Sequence, residues 1–205
     1  FPCWRLLHTG AQPIPPIVIR RVQEYFPHLE CQVSYGLTES GGPGCLNLSG
    51  DRMDKLGSIG RPGLGWEAKV QGRTLPPDTS GELWIRSDHM MSRYYKDPAS
   101  TEKALAGGWL HTGDVARMDP EGFFYIDGRM KDVIISGGEN VYPVPIEDFL
   151  RKHPAVKDAA VFGICDCRMG EIVVAKVCLT EPDACTAEDL LEFCQALPKF
   201  ERPRK

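Results

Sequence analysis

Frequent turns are the first constraint on this chain. Its 21 glycines and 17 prolines, in 205 residues, are spread along the whole length. They mark many short elements rather than one disordered tract. The length suits one ordinary domain or one and a half, and 42% apolar with 25% charged residues is the mix of a soluble globular protein. Lys and Arg number 24 against 28 Asp and Glu, a net charge of −4. That balance argues against a surface built to neutralise nucleic-acid phosphates, so no nucleic-acid partner is expected. No apolar run approaches the roughly 20 residues of a membrane helix, and no basic-then-apolar leader opens the chain. Neither a membrane span nor a secretion signal is expected.

The eight cysteines (Cys3, Cys31, Cys45, Cys165, Cys167, Cys178, Cys185 and Cys194) form no C-x-x-C pair. A core of this size needs no disulfide staple. Free thiols and a cytoplasmic location follow as expectations. The five histidines are scattered, with no metal-like pairing. Phe1-Pro2-Cys3-Trp4 opens without an initiator Met, and Phe200-Glu201-Arg202-Pro203-Arg204-Lys205 stops after a Pro-interrupted basic stretch. Both ends read as cut, so a fragment of a longer protein is expected.

Three textures divide the chain. Residues 1–44 read as strand, loop, helix and strand, with Ile14, Ile17, Val18, Val22 and Phe26 as a helical stripe and Cys31 to Tyr35 as a short buried strand. Residues 45–128 read as β, with strands over Trp66 to Val70, Gly81 to Arg86 and Gly122 to Ile126. Turn clusters at Leu75-Pro76-Pro77-Asp78 and Asp119-Pro120-Glu121-Gly122 punctuate them. One helix is expected after Asp97-Pro98, an N-cap followed by Pro at the first helical position. Residues 129–205 read as a compact α+β unit: a strand over Asp132 to Ser136 broken by Gly137-Gly138, a helix over Pro145 to Lys152, and paired strands Val156 to Ile164 and Ile172 to Leu179. A helix capped by Thr186-Ala187-Glu188-Asp189 closes it. The fold class is thus α/β plus a small β-barrel or sandwich plus α+β.

Four segments carry chemistry. Tyr35-Gly36-Leu37-Thr38-Glu39-Ser40-Gly41-Gly42 sets an aromatic, a hydroxyl and a carboxylate on a Gly-rich loop after a strand, where open α/β sheets hold ligands. A phosphate-and-Mg²⁺ loop and a polar-rimmed turn fit this composition equally. Trp109-Leu110-His111-Thr112-Gly113-Asp114 offers a carboxylate with two coplanar oxygens that can accept both hydroxyls of a ribose; alone, Thr-Gly-Asp reads as a turn. Gly128-Arg129-Met130-Lys131-Asp132, followed by Gly137-Gly138-Glu139-Asn140-Val141-Tyr142-Pro143, offers the donor fork of Arg129 to a ribose or phosphate, or else a solvated charge cluster. His8-Thr9-Gly10-Ala11-Gln12-Pro13 is a further strand-to-loop transition.

Together, in this order and at these separations, the segments resemble the adenylate-forming superfamily of acyl- and aryl-CoA synthetases, peptide-synthetase adenylation domains and beetle luciferases. Thr9-Gly10-Ala11 is similar to its adenine-side loop, and Tyr35-Gly36-Leu37-Thr38-Glu39 to its Tyr-Gly-x-Thr-Glu motif. Gly57-Ser58-Ile59-Gly60-Arg61-Pro62, Gly81-Glu82-Leu83, Thr112-Gly113-Asp114, Gly128-Arg129-x-Lys131-Asp132, Gly137-Gly138-x-Asn140-Val141-x-Pro143 and Asp166 with Gly170-Glu171 continue the series across nearly the whole chain.

The resemblance implies an AMP-forming acyl-CoA synthetase that takes a carboxylic acid with ATP and CoA; a fatty acid is favoured, and aryl and branched acids stay open. Tyr35 would stack on adenine near Gly10, Ala11 and Gly36, with Ile126 on the ring. Thr38 would touch the α-phosphate, Glu39 would hold Mg²⁺, and Asp114 would bind the ribose hydroxyls with Arg129 beside them. Lys131 sits at the hinge about which a lid swings between adenylation and thiol transfer, and Gly137 and Gly138 would line the path of the CoA thiol. Two family parts fall outside this sequence: a phosphate loop expected upstream of Phe1, and a catalytic Gly-Lys expected beyond Lys205, since neither Lys199 nor Lys205 follows a Gly. The chain by itself is therefore expected not to adenylate. Pro145 departs from the family's Glu, and Arg93 replaces a common Gly before Tyr94. The alternatives are a carrier-protein-loading adenylation domain and a non-catalytic AMP-binding module.

Overall fold

The computed structural model describes residues 3–11, 14–48, 53–71 and 78–205. Phe1-Pro2, Gln12-Pro13 and the Leu75-Pro76-Pro77 turn lie outside the described residues. The chain forms two compact units, Phe1–Ile126 and Asp127–Lys205.

The first unit opens with a β-α-β crossover. Strand β1 (Leu6–Thr9) and strand β2 (Glu30–Leu37) run parallel, with Leu6 opposite Glu30 and Thr9 opposite Val33. Helix α1 (Pro16–Tyr25) joins them. Proline suits its first turn, where the missing N–H has no helical acceptor. The expected stripe differs at one position: Ile19 is the buried residue of α1 and Val18 is 46% exposed, while Ile14, Ile17, Val22 and Phe26 are half-buried. A helix this short packs along a narrow line, and Ile19 lies on it.

Strand β3 (Gly42–Asn47) pairs antiparallel with β2, and β4 (Arg61–Pro62) with β3. A second four-stranded sheet runs β5 (Glu67–Val70), β6 (Gly81–Arg86), β7 (Leu110–Met118) and β8 (Phe124–Arg129), in that order. Cys45, Ile59, Val70, Leu83, Ile85, Leu110, Ala116 and Phe124 form one core between the sheets. Burying each of the larger aliphatic side chains contributes about 1.5–3 kcal/mol. The expected helix after Asp97 is α2 (Pro98–Ala104), and the Asp97 carboxylate accepts from the Ser100 N–H at 3.0 Å.

The turn at Asp119–Gly122 is held from inside. Asp119 Oδ1 accepts from the N–H groups of Glu121 and Phe123, both at 2.9 Å. Lys55, 9% exposed, reaches Asp119 at 2.8 Å and Glu121 at 2.7 Å. Burial pushes the Asp119 pKa up, but the Lys55 ammonium and the two N–H donors outweigh it and hold the carboxyl below its ordinary value.

In the second unit a single turn of 3₁₀ helix, Met130–Asp132, precedes β9 (Ile134–Ser136), so the expected strand starts two residues late. Strand β10 (Glu139–Val141) returns against it. Helix α3 (Pro143–Leu150) places Pro145 in its first turn, which explains why proline is tolerated there. Strands β11 (Val156–Asp166) and β12 (Gly170–Leu179) form a long hairpin, and the sheet order is β10-β9-β12-β11. Helix α4 (Ala187–Phe193) begins with the expected capping box between Thr186 and Asp189. Ile134, Val141, Ile146, Leu150, Val156, Val161 and Val173 make the core of this unit. Among the described residues no helix is long and apolar enough to cross a membrane.

Candidate functional site

The C-terminal end of β2 is the centre of the candidate site. Tyr35, Leu37 and Ile126 each pack against the core of the first unit, and the Tyr35 hydroxyl donates to Asp114 Oδ2 at 2.5 Å. Burial, then the nearby Asp114 charge, pushes the Tyr35 pKa far above the ordinary tyrosine value, so the phenol keeps its proton and remains the donor.

Asp114, 4% exposed, reaches this position because β7 is bulged. Thr112-Gly113-Asp114 is not a free turn but lies inside the strand. The register against β6 shifts between Glu82 and Trp84, and Gly113 takes φ +70. Such a bulge re-aims the side chain beside it. The Gly113 N–H donates to Glu82 Oε1 at 3.0 Å, the Thr112 hydroxyl donates to the Leu83 carbonyl at 2.7 Å, and the Asp114 N–H donates to Thr112 Oγ1 at 3.1 Å. Thr112 and Glu82 therefore hold the bulge that aims Asp114.

The loop after β2 is equally constrained. Gly36 follows a second bulge, and a Cβ there would run into the Gly42 carbonyl. Thr38–Ser40 form one 3₁₀ turn, closed by Gly41 at φ +69. The fully buried Ser40 hydroxyl accepts from the Leu37 N–H at 2.9 Å and lies 2.7 Å and 2.5 Å from the Leu37 and Gly42 carbonyls. Thr38 is exposed on this turn and Glu39 is half-buried.

Glu39 is held twice. Its carbonyl accepts from the Met91 N–H at 2.8 Å, and its Oε1 accepts from the Tyr94 hydroxyl at 2.7 Å. The hydrogen bond to Glu39, then burial, pushes the Tyr94 pKa up to about 12. Sequence reasoning gave Tyr94 no site role, because its partner is 55 residues away. Among the described residues no cluster of three or more His, Cys, Asp or Glu could hold a metal ion. A half-buried carboxylate beside an exposed Thr suits Mg²⁺, which takes one or two protein carboxylates with water and phosphate oxygens.

Gly10 and Ala11 lie at the end of β1. A Cβ on Gly10 would come 2.6 Å from Ser34 Oγ, one residue before Tyr35, so this glycine lets β1 run close against β2. Ala11 is exposed and takes φ +67. These residues, with Tyr35, Gly36, Thr38, Glu39, Asp114 and Ile126, all belong to the first unit.

Arg129, Lys131, Gly137 and Gly138 belong to the second. Arg129 ends β8 and Lys131 lies on the following 3₁₀ turn, both exposed. Gly137 and Gly138 form a two-residue turn between Ser136 and Glu139, with φ +61 and +88. Positive φ at both centres is the type I′ pattern, which by itself favours glycine. A Cβ on Gly137 would also meet Met169 Cε at 2.6 Å. Asp166 accepts from the N–H groups of Arg168 and Met169, both at 2.9 Å, and Glu171 from the Ile135 N–H at 2.8 Å. Both carboxylates order the β11–β12 hairpin and its neighbour.

The family described as AMP-binding enzyme matches residues 1–95, and the AMP-binding enzyme C-terminal domain matches residues 145–205. The long-chain-fatty-acid–CoA ligase FadD13 of Mycobacterium tuberculosis is 37% identical over all of this chain and 41% of its own length. The mitochondrial medium-chain acyl-CoA ligase ACSF2 of Bos taurus is 39% identical over 95% of this chain and 33% of its length. The o-succinylbenzoate CoA synthetase of Bacillus subtilis, solved with the acyl-adenylate OSB-AMP, superposes on 98% of this chain and 41% of its own at a TM-score of 0.87 and 34% identity. The same enzyme has been solved with ATP and a magnesium ion. The chain thus spans about two-fifths or less of the length of these relatives.

Proposed function

The chain belongs to the family of AMP-binding enzymes, and we propose that it supplies the nucleotide-binding end and the lid of an AMP-forming acid–thiol ligase. In the first half-reaction a carboxylate oxygen attacks the α-phosphorus of ATP, giving acyl-AMP and pyrophosphate. In the second a thiol, here assigned to CoA, attacks the acyl carbon and AMP leaves. The acid is assigned to the fatty class, the class that the name of FadD13 carries; the 2-succinylbenzoate–CoA ligase of Bacillus cereus, 36% identical, makes an aryl acid the second reading.

The observation that carries the reading is the convergence of Tyr35, Asp114 and Glu39 at the end of β2. Tyr35 offers a ring face to adenine, with Ile126 on the same wall and the Gly10-Ala11 loop beside it. Asp114 is aimed by its bulge to accept from the ribose hydroxyls, a geometry for which a carboxylate has two oxygens. Thr38 donates to the α-phosphate from an exposed turn, and Gly36 lets that turn fold back. Glu39 would hold magnesium, which when bound neutralises phosphate charge. Arg129 adds a donor fork on the second unit, Lys131 serves as the hinge of the lid, and Gly137 and Gly138 leave a side-chain-free path for the thiol.

The test is ATP–pyrophosphate exchange by the full-length protein across a panel of carboxylic acids, followed by addition of CoA. Exchange with fatty acids and thioester on adding CoA is the expected result. Exchange without thioester moves the acceptor to a carrier protein, and AMP binding without exchange leaves a non-catalytic module.

A further inference from the structure

Residue 39 is gripped from the segment that follows β6, and the grip falls on both its backbone and its side chain. The Met91 N–H donates to the Glu39 carbonyl at 2.8 Å, and three residues on the Tyr94 hydroxyl donates to Glu39 Oε1 at 2.7 Å. The same stretch closes over the next turn, since a Cβ on Gly41 would lie 2.6 Å from the His89 carbonyl. Tyr94 is itself fixed. Its N–H donates to Thr101 Oγ1 at 2.9 Å, the Thr101 hydroxyl donates to the Asp97 carbonyl at 2.7 Å, and Asp97 caps α2. A chain of bonds therefore runs from the start of α2 through Tyr94 to one oxygen of the Glu39 carboxylate. Among the described residues no hydrogen bond reaches the other oxygen, Oε2.

We infer that Tyr94 is a positioning residue for Glu39: by occupying Oε1 it fixes the carboxylate plane and presents Oε2 to the divalent cation held with the nucleotide. This rests on the proposed role of Glu39. A carboxylate on a short turn has two free side-chain torsions before its plane is set, so an unanchored Glu39 would sample several orientations. A hydrogen bond to the oxygen that does not face the metal removes that freedom at no cost in charge. Outer partners of this kind commonly change metal affinity about 10- to 100-fold. A purely structural Tyr94 would hold the 87–97 segment in place and leave the cation indifferent to its hydroxyl.

Tyr94→Phe separates the two, because it deletes one oxygen and keeps the ring, the Thr101 bond and the Met91 contact. In the full-length protein, Mn²⁺ binding in the presence of ATP is read by electron paramagnetic resonance, with nucleotide affinity without metal and Tm measured alongside. The expected result is about tenfold weaker Mn²⁺ binding, with metal-free ATP affinity and Tm as in wild type. Glu39→Gln in the same titration reports on the premise, and should weaken Mn²⁺ binding at least as far. If Glu39→Gln weakens Mn²⁺ binding and Tyr94→Phe does not, Tyr94 is structural and the inference fails while the site stands. If neither changes Mn²⁺ binding, Glu39 holds no metal and both readings fail.

Discussion

Tyr35 and Asp114, 79 residues apart in the chain, meet through a 2.5 Å hydrogen bond from phenol to carboxylate. The bond ties the C-terminal end of β2 to the bulge of β7, so a nucleotide ligand placed on one is placed on the other. Tyr35→Phe keeps the ring and removes this tie, taking one donor from a buried charged acceptor at a cost of about 1–3 kcal/mol. AMP affinity in the full-length protein is expected to fall about tenfold, as read by calorimetry, with a lower Tm.

Two glycines on the strands that flank the loop after β2, Gly36 in β2 and Gly42 in β3, should behave oppositely. An added Cβ at Gly36 runs into the Gly42 carbonyl, whereas at Gly42 nothing lies within 4 Å. Gly36→Ala is expected to destabilise by about 1–3 kcal/mol, the range for overpacking. Gly42→Ala should stay within about 0.5 kcal/mol of wild type. Urea unfolding of the two variants checks the pair.

The Gly137-Gly138 turn allows its backbone need and its proposed thiol-path role to be separated. Asn tolerates a positive φ, so Gly137→Asn is expected to keep the β9–β10 hairpin folded. If the turn lines the path of the thiol, this variant forms acyl-AMP at the wild-type rate and transfers it to CoA more slowly. Single-turnover measurement of the two half-reactions reads both, and equal effects on them would contradict the assignment.

Asp119 supplies a pH signature of stability. Its carboxyl is held below the ordinary value of 3.8 in the folded chain. The unfolded chain therefore binds its proton at higher pH than the folded one does. Its stabilisation is complete above about pH 4 and is lost as the pH falls through the lowered folded value. Asp119→Asn should flatten the acid limb of the urea midpoint against pH and lower stability at neutral pH, where Lys55 loses its buried partner.

Much of the architecture was legible because its signals are local. Asp97-Pro98 and the Thr186–Asp189 box each declare themselves within four residues, whereas α3, expected over Pro145 to Lys152, begins two residues earlier at Pro143. The loop after Tyr35 stands out for an equally local reason, with an aromatic, a hydroxyl and a carboxylate within five residues, a composition that a ligand loop and a polar-rimmed turn share. What the sequence did not disclose is set by distance. The burial of Ile19 in place of Val18 depends on the line along which α1 meets its sheet. Thr112-Gly113-Asp114 reads as a turn until Glu82 and Leu83, about thirty residues earlier, pair with it and make it a bulge. Tyr94 stands next to Tyr95 in a polar stretch, and only the fold distinguishes the tyrosine that reaches Glu39 from its neighbour, which is 85% exposed. The two glycines at 137 and 138 carry the reverse lesson, since a motif that resembles a ligand path also has a sufficient backbone reason in its type I′ geometry.

The most direct test of the site is the affinity of the full-length protein for AMP against 2′,3′-dideoxy-AMP, in wild type and in Asp114→Asn. If Asp114 accepts the ribose hydroxyls, wild type prefers AMP by about tenfold or more, the discrimination that follows when a charged hydrogen-bonding group is left without its partner, and Asp114→Asn loses most of that preference. Equal binding of the two nucleotides by wild type, or an unchanged preference in Asp114→Asn, would contradict the placement of the nucleotide at the end of β2.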